Sequence, residues 1–247
     1  MRKARGGTNL TYSLVETLGQ SIVSGEFTAE NRFPTEAELS QIHGASHSIT
    51  REAVKMLTAK GLLVSRPRLG TQVQPEAQWN MLDPDVLGWL LERKFSPSLL
   101  MEFNEIRLAV EPGAAELAAR VATEADKTAI QAAIVRMQAA ENGDDDPLDS
   151  DIAFHVSVLR ASRNRFYSQL TGFIATALGF SIRMTNRNKG VKLASSADHK
   201  KVADAIIAGR PAAAHDAMRK LIREAMDLIN WREEPQRARR LAGNGSS

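Results

Sequence analysis

The sequence predicts a mostly α-helical protein with two domains, an N-terminal winged helix-turn-helix and a C-terminal all-helical bundle. Three observations lead to this prediction. Apolar residues recur at helical spacing along most of the 247 residues. The stretch 62–73 has two strand-like pieces around a basic turn, typical of a β-hairpin, and it directly follows three predicted helices. No strand pattern occurs after residue 84.

The composition excludes several classes of protein. The chain has no cysteine, so it has no disulfide, no thiolate ligand for a metal and no cysteine nucleophile. No apolar run is long enough to span a membrane, and the basic N-terminus lacks the apolar core of a secretion signal. We therefore expect a cytoplasmic protein that has no membrane partner.

The charges are unevenly distributed along the chain. Residues 1–75 contain 9 Lys and Arg against 6 Asp and Glu, whereas residues 76–247 contain 23 of each kind. A basic excess in the N-terminal third is expected if that part contacts a polyanion such as DNA. A chance imbalance of surface charge explains the same numbers equally well, so this interpretation needs support from motifs.

Short sequence signals divide the N-terminal part into helices. Residues 1–9 are expected to be flexible, and apolar residues at every fourth position after Leu10 predict a first helix. Thr35 precedes a second, short helix, and Glu38 stands three residues later, which is the spacing of a capping box.

The third predicted helix lies in the segment GASHSITREAVKML, residues 44–57. Its first residues are small or hydrogen-bonding, and Ala53, Val54 and Leu57 give it an apolar back. Such a helix can enter the major groove of DNA, where its N-terminal side chains reach bases and phosphates. Alone the signal is weak, because many ordinary helices begin with Ser or Thr caps. The candidate DNA contacts in this helix are Ser46, His47, Ser48, Thr50 and Arg51.

The β-hairpin after this helix would be the wing of the domain, which we place at residues 10–75. Its turn is basic, and Gly70 permits close approach of the backbone to a ligand. A lone turn of this kind is usually a solvated loop, but its position after three helices favours contact with phosphate or a minor groove. The candidate contacts in the wing are Arg66, Arg68, Gly70 and Thr71.

Taken together, these residues resemble the N-terminal DNA-binding domain of the GntR family of transcription regulators. The shared positions are Pro34, Glu36, Leu39, Ser46, Arg51, Glu52, Ala53, Leu57, Gly61, Leu62, Gly70, Thr71 and Val73. The resemblance implies a homodimer that binds two half-sites of a palindromic operator. It also implies DNA contacts by Ser46, Ser48, Arg51 and the wing. Ala37 and His47 stand where the family often has Arg, and His47 is expected to be a substitute contact.

The rest of the chain is predicted to be a linker, a helical domain and a tail. The linker is residues 76–83, and the next helix has Pro84 at its first position. The helical domain covers residues 84–231 with seven helices, and Pro112 should kink or divide one of them. The charged tail 232–247, which ends in Gly and Ser, is predicted to be disordered.

Asp151 and His155 form a possible metal site in the helical domain. They are four residues apart, so a helix places them on one face, and their neighbours are apolar. His199 begins a later helix, and two imidazoles with one carboxylate suit Zn²⁺, Ni²⁺, Mn²⁺ or Fe²⁺. From spacing alone, a buried hydrogen-bonded Asp–His pair is the simpler interpretation. The same three groups also describe the facial triad of a non-haem iron enzyme, although an enzyme has no use for the N-terminal domain.

Residues 84–230 resemble the ligand-binding FCD domain of the FadR-type branch of the GntR family. The matching positions are Arg107, Glu111, Pro112, Asp151, Phe154, His155, Asn164, His199, Ala205, Ile206, Ala214, Ala217 and Met218. Metal-binding members of this branch use one Asp and three His. The resemblance therefore implies that Asp151, His155 and His199 bind a divalent metal, with zinc as the first choice. Leu221 stands where the last histidine is usual, which would leave positions on the metal for water or effector oxygens.

Two further residues are candidates for effector binding. Arg107 has a planar fork that suits a carboxylate, although an internal salt bridge to Glu111 would use it equally well. Asn164 is the second candidate, and it could equally be a helix cap. Residues 78–89 and 104–112 are most similar to the galactonate-operon repressors of this branch, which implies a repressor whose effector is a sugar acid, an aldonate such as galactonate. The alternative within the branch is a FadR-type regulator that binds an acyl ligand without metal.

Overall fold

The structure is a computed structural model that describes residues 5–28, 30–66, 70–93, 97–187 and 195–243. The chain divides into two compact units, Met1–Lys94 and Phe95–Ser247. The described residues contain one two-stranded sheet, and the other regular elements among them are helices.

The first unit consists of four α-helices, a hairpin and a short 3-10 helix at Glu76–Gln78. Its elements are α1 (Arg5–Ser24), α2 (Glu36–His43), α3 (His47–Ala59), β1 (Leu63–Arg66), β2 (Gly70–Val73) and α4 (Pro84–Arg93). Helix α3 packs on α1, α2 and β1. The strands are antiparallel, with Leu63 opposite Val73 and Arg66 opposite Gly70. The arrangement confirms the predicted winged helix-turn-helix.

The turn between α2 and α3 is fixed by local hydrogen bonds. Thr35 and Glu38 form the predicted capping box at the start of α2, and the Thr35 N–H donates to Glu38 Oε2 at 2.7 Å. Gly44 ends α2 with φ of 60° and donates its N–H to the Ser40 carbonyl. The left-handed conformation favours glycine, and α3 begins three residues later at His47.

The predicted linker, residues 76–83, is folded onto the first unit. Trp79 is buried, and its Nε1 donates to the Gln74 carbonyl at 2.9 Å. Gly61 has φ of 77°, and a Cβ on it would lie 2.4 Å from the Gln78 carbonyl oxygen. Only glycine fits this close approach, so the connection is a packed part of the unit.

Helix α4 also belongs to the first unit, although the sequence analysis places residues 84–231 in one domain. Trp89 is buried, and its Nε1 donates to Glu16 Oε1 of α1 at 2.8 Å. The apolar pattern of α4 indicates that one face is buried, but a pattern does not identify the element that covers it. The first unit ends at Lys94, later in the chain than the predicted domain boundary.

The second unit is a helical bundle. Its helices are α5 (Pro97–Val121), α6 (Glu124–Glu141), α7 (Pro147–Ala161), α8 (Arg165–Gln169), α9 (Thr171–Arg187), α10 (Ser196–Ile207) and α11 (Pro211–Gly243). Helix α7 packs on α5, α6 and α9, and α10 packs on α5, α6 and α11. Phe154, Val158, Ile206, Met218 and Ile222 are fully or almost fully buried in the shared core. The helices that carry the candidate ligands therefore lie against the core of this bundle.

Two predicted helices of the bundle differ in the structure. Helix α5 runs unbroken through Pro112, which is buried, so the packing around it outweighs the missing backbone hydrogen bond. The segment predicted as one helix after Asn164 is two, because α8 ends at Gln169 and α9 begins at Thr171. The described residues after Pro84 thus form eight helices, not seven.

Both ends of the chain are more helical than predicted. Helix α1 begins at Arg5, inside the stretch predicted to be flexible, and α11 continues to Gly243 through the predicted disordered tail. Extending a helix adds one hydrogen bond for each residue that is fixed, which is easier than starting one. Residues 232–243 are, apart from Pro235, mostly good helix formers. Among the described residues, no helix has the length and apolar character needed to cross a membrane.

Candidate functional site

The N-terminal end of α3 is exposed and carries most of the side chains that are predicted to contact DNA. Ser46 caps the helix, and its hydroxyl lies 3.0 Å from that of Ser48. His47, Ser48 and Arg51 are exposed. Arg51 Nε is 3.5 Å from Glu36 Oε2, and the Arg51 side chain is 64% exposed. Such a pair contributes little to stability, so Arg51 can turn to a phosphate at small cost.

Thr50 is not available as a DNA contact. Its side chain is fully buried, and its hydroxyl donates to the His47 carbonyl at 3.1 Å. The sequence analysis groups Thr50 with the exposed front of the helix, whereas it lies on the side of α3 that also buries Ala53, Val54 and Leu57. The helical turn brings it to the core.

The described part of the wing has the predicted hairpin form. Arg66 is exposed at the end of β1, opposite Gly70 at the start of β2, and Gly70 has φ of 75°. The Thr71 hydroxyl lies 3.3 Å from that of Ser65 on the facing strand. Arg68 lies outside the described residues. The contacts of the wing with DNA stay a prediction.

Three potential metal ligands meet inside the second unit. Asp151 and His155 lie on α7, and His199 lies on α10. Their ligand atoms are all within 4.8 Å of one another, and the three residues are buried. The structure thus brings together the three residues that the sequence analysis proposes as ligands.

His199 is held with a lone pair facing this cluster. Its Nδ1 lies 3.1 Å from the Ser195 carbonyl, and a carbonyl only accepts, so Nδ1 donates. In the neutral form of the ring, Nε2 then carries no proton, and this atom lies 3.0 Å from Asp151 Oδ1. These two atoms are close enough for an ion pair, yet Nε2 is buried and forms no hydrogen bond among the described residues. A proton or a metal cation between these two atoms would remove the repulsion between two acceptors at this distance.

His155 is held in the same way. Its Nδ1 lies 2.5 Å from Glu111 Oε2, and an ionised carboxylate only accepts, so Nδ1 again carries the proton. Its Nε2 is 4.0 Å from Asp151 Oδ2. The Phe154 ring packs edge-to-face on His155 and His199, with ring centroids 5.3 and 4.9 Å away. Both imidazoles therefore have their Nε2 atoms near one carboxylate.

The two carboxyl groups next to these imidazoles are ionised. Burial alone would raise the pKa of Glu111, but the charge of Arg107 and the contact with His155 outweigh it and lower the pKa to about 2. Burial would likewise raise the pKa of Asp151, but the contacts with His199 and His155 lower it below its usual value. Two negative charges are therefore present in a buried site at neutral pH.

Arg107 is the cation beside these groups on α5. Its Nε donates to Glu111 Oε1 at 2.6 Å, and its Nη1 lies 3.3 Å from Asn104 Oδ1. Its Nη2 lies 3.1 Å from Nε2 and 3.4 Å from Nδ1 of His155. The two nitrogens of an imidazole point away from the ring in different directions within its plane. An atom that is about equally distant from both nitrogens, as Nη2 is, therefore lies above the face of the ring. The internal salt bridge that the sequence analysis considered for Arg107 is present.

A divalent cation fits this set of donors. Each imidazole has its Nδ1 hydrogen-bonded, so the neutral ring offers the lone pair of Nε2 to the cluster, which is how metal-binding histidines are usually held. Neighbouring ligands of a zinc ion with bonds of about 2.0–2.2 Å lie roughly 3–3.5 Å apart, close to the 3.0 Å between Asp151 Oδ1 and His199 Nε2. The same donors suit zinc, nickel, manganese and iron.

Asn164 does not belong to the hydrogen-bond network of the cluster among the described residues. Its side chain accepts from the Phe166 N–H at 2.9 Å, so it is the cap of α8. It also lines an open cavity of about 570 Å³ with Leu117, Val121 and Phe166. Neither Arg107 nor any of the three candidate metal ligands lines this cavity. The capping role is therefore present, and an effector contact by Asn164 stays a prediction.

The contact between Glu111 and His155 is not predicted from the sequence. Spacing within α5 suggests the pair of Glu111 with Arg107, because they are four residues apart. His155 is on another helix, 44 residues later. A sequence gives no direct sign of a contact between helices, and Glu111 was considered only as a partner for Arg107.

The fold and the cluster define a class of protein: a DNA-binding transcription regulator with a separate helical domain that can hold a ligand. The chain belongs to the GntR family of such regulators. Residues 10–73 match the family described as bacterial regulatory proteins, gntR family, and residues 102–224 match the FCD domain. The protein is therefore a transcription regulator and not an enzyme.

Relatives agree with this assignment. The HTH-type transcriptional regulator YieP of Escherichia coli is 32% identical over 217 residues, which cover 87% of this chain and 93% of YieP. The galactonate operon transcriptional repressor of Escherichia coli is 37% identical over 163 residues, which cover 66% of this chain and 71% of the repressor. Among solved structures, that of Lar, which controls the expression of the Listeria monocytogenes agr system, has a TM-score of 0.57 at 18% identity. The match covers 89% of this chain and 96% of the Lar chain, and it supports only the fold.

Proposed function

We propose that this protein is a cytoplasmic, homodimeric repressor of a sugar-acid catabolic operon, and that a sugar acid releases it from its operator. The effector class is an aldonate such as galactonate. The observation that carries the proposal is the buried cluster of Asp151, His155 and His199 with Arg107 beside it. The identity of 37% with a galactonate operon repressor supports the choice of acid.

The first unit would provide the contacts with DNA. In a homodimer, two α3 helices would enter neighbouring major grooves of a palindromic operator. This role is supported by the exposure of Ser46, His47, Ser48 and Arg51. Arg66, Gly70 and Thr71 of the wing, with Arg68, would contact the backbone or the minor groove.

The second unit would bind the effector. Asp151, His155 and His199 would hold a divalent metal, most simply zinc. When bound, the metal would supply Lewis-acid positions for hydroxyl and carboxylate oxygens. The guanidinium of Arg107 has its Nη2 over the His155 ring, and it would pair with the carboxylate of the acid. Asn164 is a further, weaker candidate for effector contact.

The role of α3 is tested by DNA binding of the full-length protein. Operator duplexes are first selected with the protein from random-sequence DNA, and affinity is then measured as a function of salt. Arg51→Ala should weaken binding and reduce the slope of log K against log salt by about 0.9, as expected for one lost phosphate contact. Arg93→Ala, which removes an exposed arginine of α4, is the charge-matched control. Equal affinity and slope for Arg51→Ala and wild type would contradict the role of α3.

A further inference from the structure

We propose that Glu111 is the positioning residue of the buried site: its single carboxylate fixes the proton of His155 on Nδ1 and also fixes the direction of the Arg107 guanidinium. The inference deepens the proposed function and rests on it, because it concerns the residues that would hold the metal and the acid.

Both oxygens of Glu111 are used, and they go to different residues. Oε1 accepts from Arg107 Nε at 2.6 Å, and Oε2 accepts from His155 Nδ1 at 2.5 Å. The residue is 1% exposed, so water does not compete for either oxygen. A structural Arg–Glu pair usually uses both oxygens and two guanidinium nitrogens in parallel. Here one oxygen is left for the imidazole, so the carboxylate connects the two residues.

The contact with His155 decides which ring nitrogen can bind a cation. The proton of a neutral imidazole goes to the nitrogen whose partner accepts it. Without the Glu111 carboxylate, the acceptor on the other side of the ring is Asp151, 4.0 Å from Nε2. A proton on Nε2 would pair with Asp151 and remove the lone pair from the cluster. Glu111 therefore favours a metal-binding arrangement over a simple His–Asp hydrogen bond.

The contact of Glu111 with Arg107 fixes the direction of the guanidinium, which is the candidate group for binding the acid. With Nε held by Glu111 and Nη1 next to Asn104, the remaining Nη2 lies over the His155 ring. The same carboxylate thus holds a candidate metal ligand and the candidate carboxylate-binding residue in one rigid unit. Loss of Glu111 should affect both at once, which a role in packing alone would not require.

The first test is the tautomer of His155 in the full-length, metal-free protein, read from the ¹⁵N shifts of its imidazole at mildly alkaline pH. The chain has only five histidines, so a spectrum of His155→Gln identifies the signal. We expect the proton on Nδ1 in the wild type and a shift toward Nε2 in Glu111→Gln. A proton on Nε2 in the wild type, or no change in Glu111→Gln, would overturn the inference.

The second test is the affinity for Zn²⁺, measured by competition with a chelator. Glu111→Gln should bind zinc about 10–100-fold more weakly, the usual effect of losing the partner of a metal-binding histidine. Glu116→Gln, which changes a partly exposed partner of Arg120 on the same helix, should bind like the wild type. Equal affinities for all three proteins would contradict the inference. If the wild type binds no divalent metal, the proposed metal site is wrong. The tautomer of His155 in the wild type still tests the role of Glu111 in that case, and it does so even if Glu111→Gln does not fold.

Discussion

At the scale of single residues, the charges beside α7 do not balance. Asp151 and Glu111 are buried and ionised, and Arg107 is the arginine that contacts Glu111. With neutral imidazoles this leaves one negative charge in excess among these groups, and an uncompensated buried charge is costly. A proton on an imidazole or a bound cation would compensate it. The cluster is therefore a place where a divalent cation should stabilise the folded protein.

The first prediction is that Zn²⁺ stabilises the chelator-treated wild type against heat and that Asp151→Ala abolishes this effect. At a metal concentration 100 times the dissociation constant, stabilisation should reach about 2.7 kcal/mol. In a domain of this size, each kcal/mol corresponds to roughly 2–4 °C in the melting temperature. Asp149→Ala removes an exposed carboxylate of the same helix and should retain the full shift. The same shift in Asp151→Ala would exclude the cluster as the site.

The second prediction concerns the buried ion pair of Arg107 with Glu111. Arg107→Ala leaves Glu111 ionised and buried without its cation, so it should lower the free energy of unfolding by about 3–5 kcal/mol. Arg120→Ala removes an arginine of the same helix whose side chain is 55% exposed, and it should cost at most about 1 kcal/mol. Denaturant unfolding of the metal-free proteins measures both. Comparable small losses would show that the Arg107 pair contributes little.

At the scale of elements, the contact of α1 with α4 depends on a glycine. A Cβ on Gly19 would lie 2.3 Å from an atom of the Trp89 ring. Trp89 is buried and its indole N–H is bonded to Glu16, so the ring cannot move aside easily. This close approach explains how the first unit can include α4, which the sequence analysis places in the second domain.

The third prediction is that Gly19→Ala destabilises the first unit although alanine is the better helix former. Overpacking should cost about 1–3 kcal/mol. Gly179 of α9 is the control, since a Cβ on it would lie 3.9 Å from Ile152 Cδ1, an ordinary contact, and Gly179→Ala should stabilise by up to about 1 kcal/mol. Denaturant unfolding compares the two variants. Destabilisation by Gly179→Ala and none by Gly19→Ala would contradict the described packing.

What was predictable from the sequence depends on whether the responsible interaction is local. The capping box at Thr35 and the helix start at Pro84 depend on residues a few positions apart, and the structure confirms them. The uninterrupted course of α5 through Pro112 and the packing of α4 on α1 depend on tertiary contacts. Neither contact leaves a periodic signal, so neither could be predicted from the sequence.

The same distinction holds for the site. The position of Asp151 four residues before His155 predicts that they share a face, His199 is the third candidate ligand from a later helix, and the structure brings the three together. The burial of Thr50 follows from the exact rotation of α3, which its polar residue type hides. The bond of Glu111 to His155 joins two helices, and the residue types alone do not pair them.

At the scale of the whole molecule, the proposed function requires coupling between two sites. The candidate DNA contacts lie in the first unit, and the metal and effector candidates lie in the second. An effector changes operator affinity only if it binds the DNA-competent state and the alternative state with different affinities. Couplings of this kind usually amount to about 1–3 kcal/mol, or roughly 5–150-fold in affinity. Because linkage is reciprocal, operator DNA should weaken effector binding by the same factor.

The most direct test of the central claim is the affinity for selected operator DNA, titrated with galactonate and other aldonates in the presence of Zn²⁺. We expect at least one aldonate to weaken operator binding by the wild type roughly 5-fold or more. Asp151→Ala should bind the operator with wild-type affinity in the absence of acid and should not respond to it, whereas Asp149→Ala should respond fully. Operator affinity that no sugar acid changes, or an equal response in Asp151→Ala, would contradict the account.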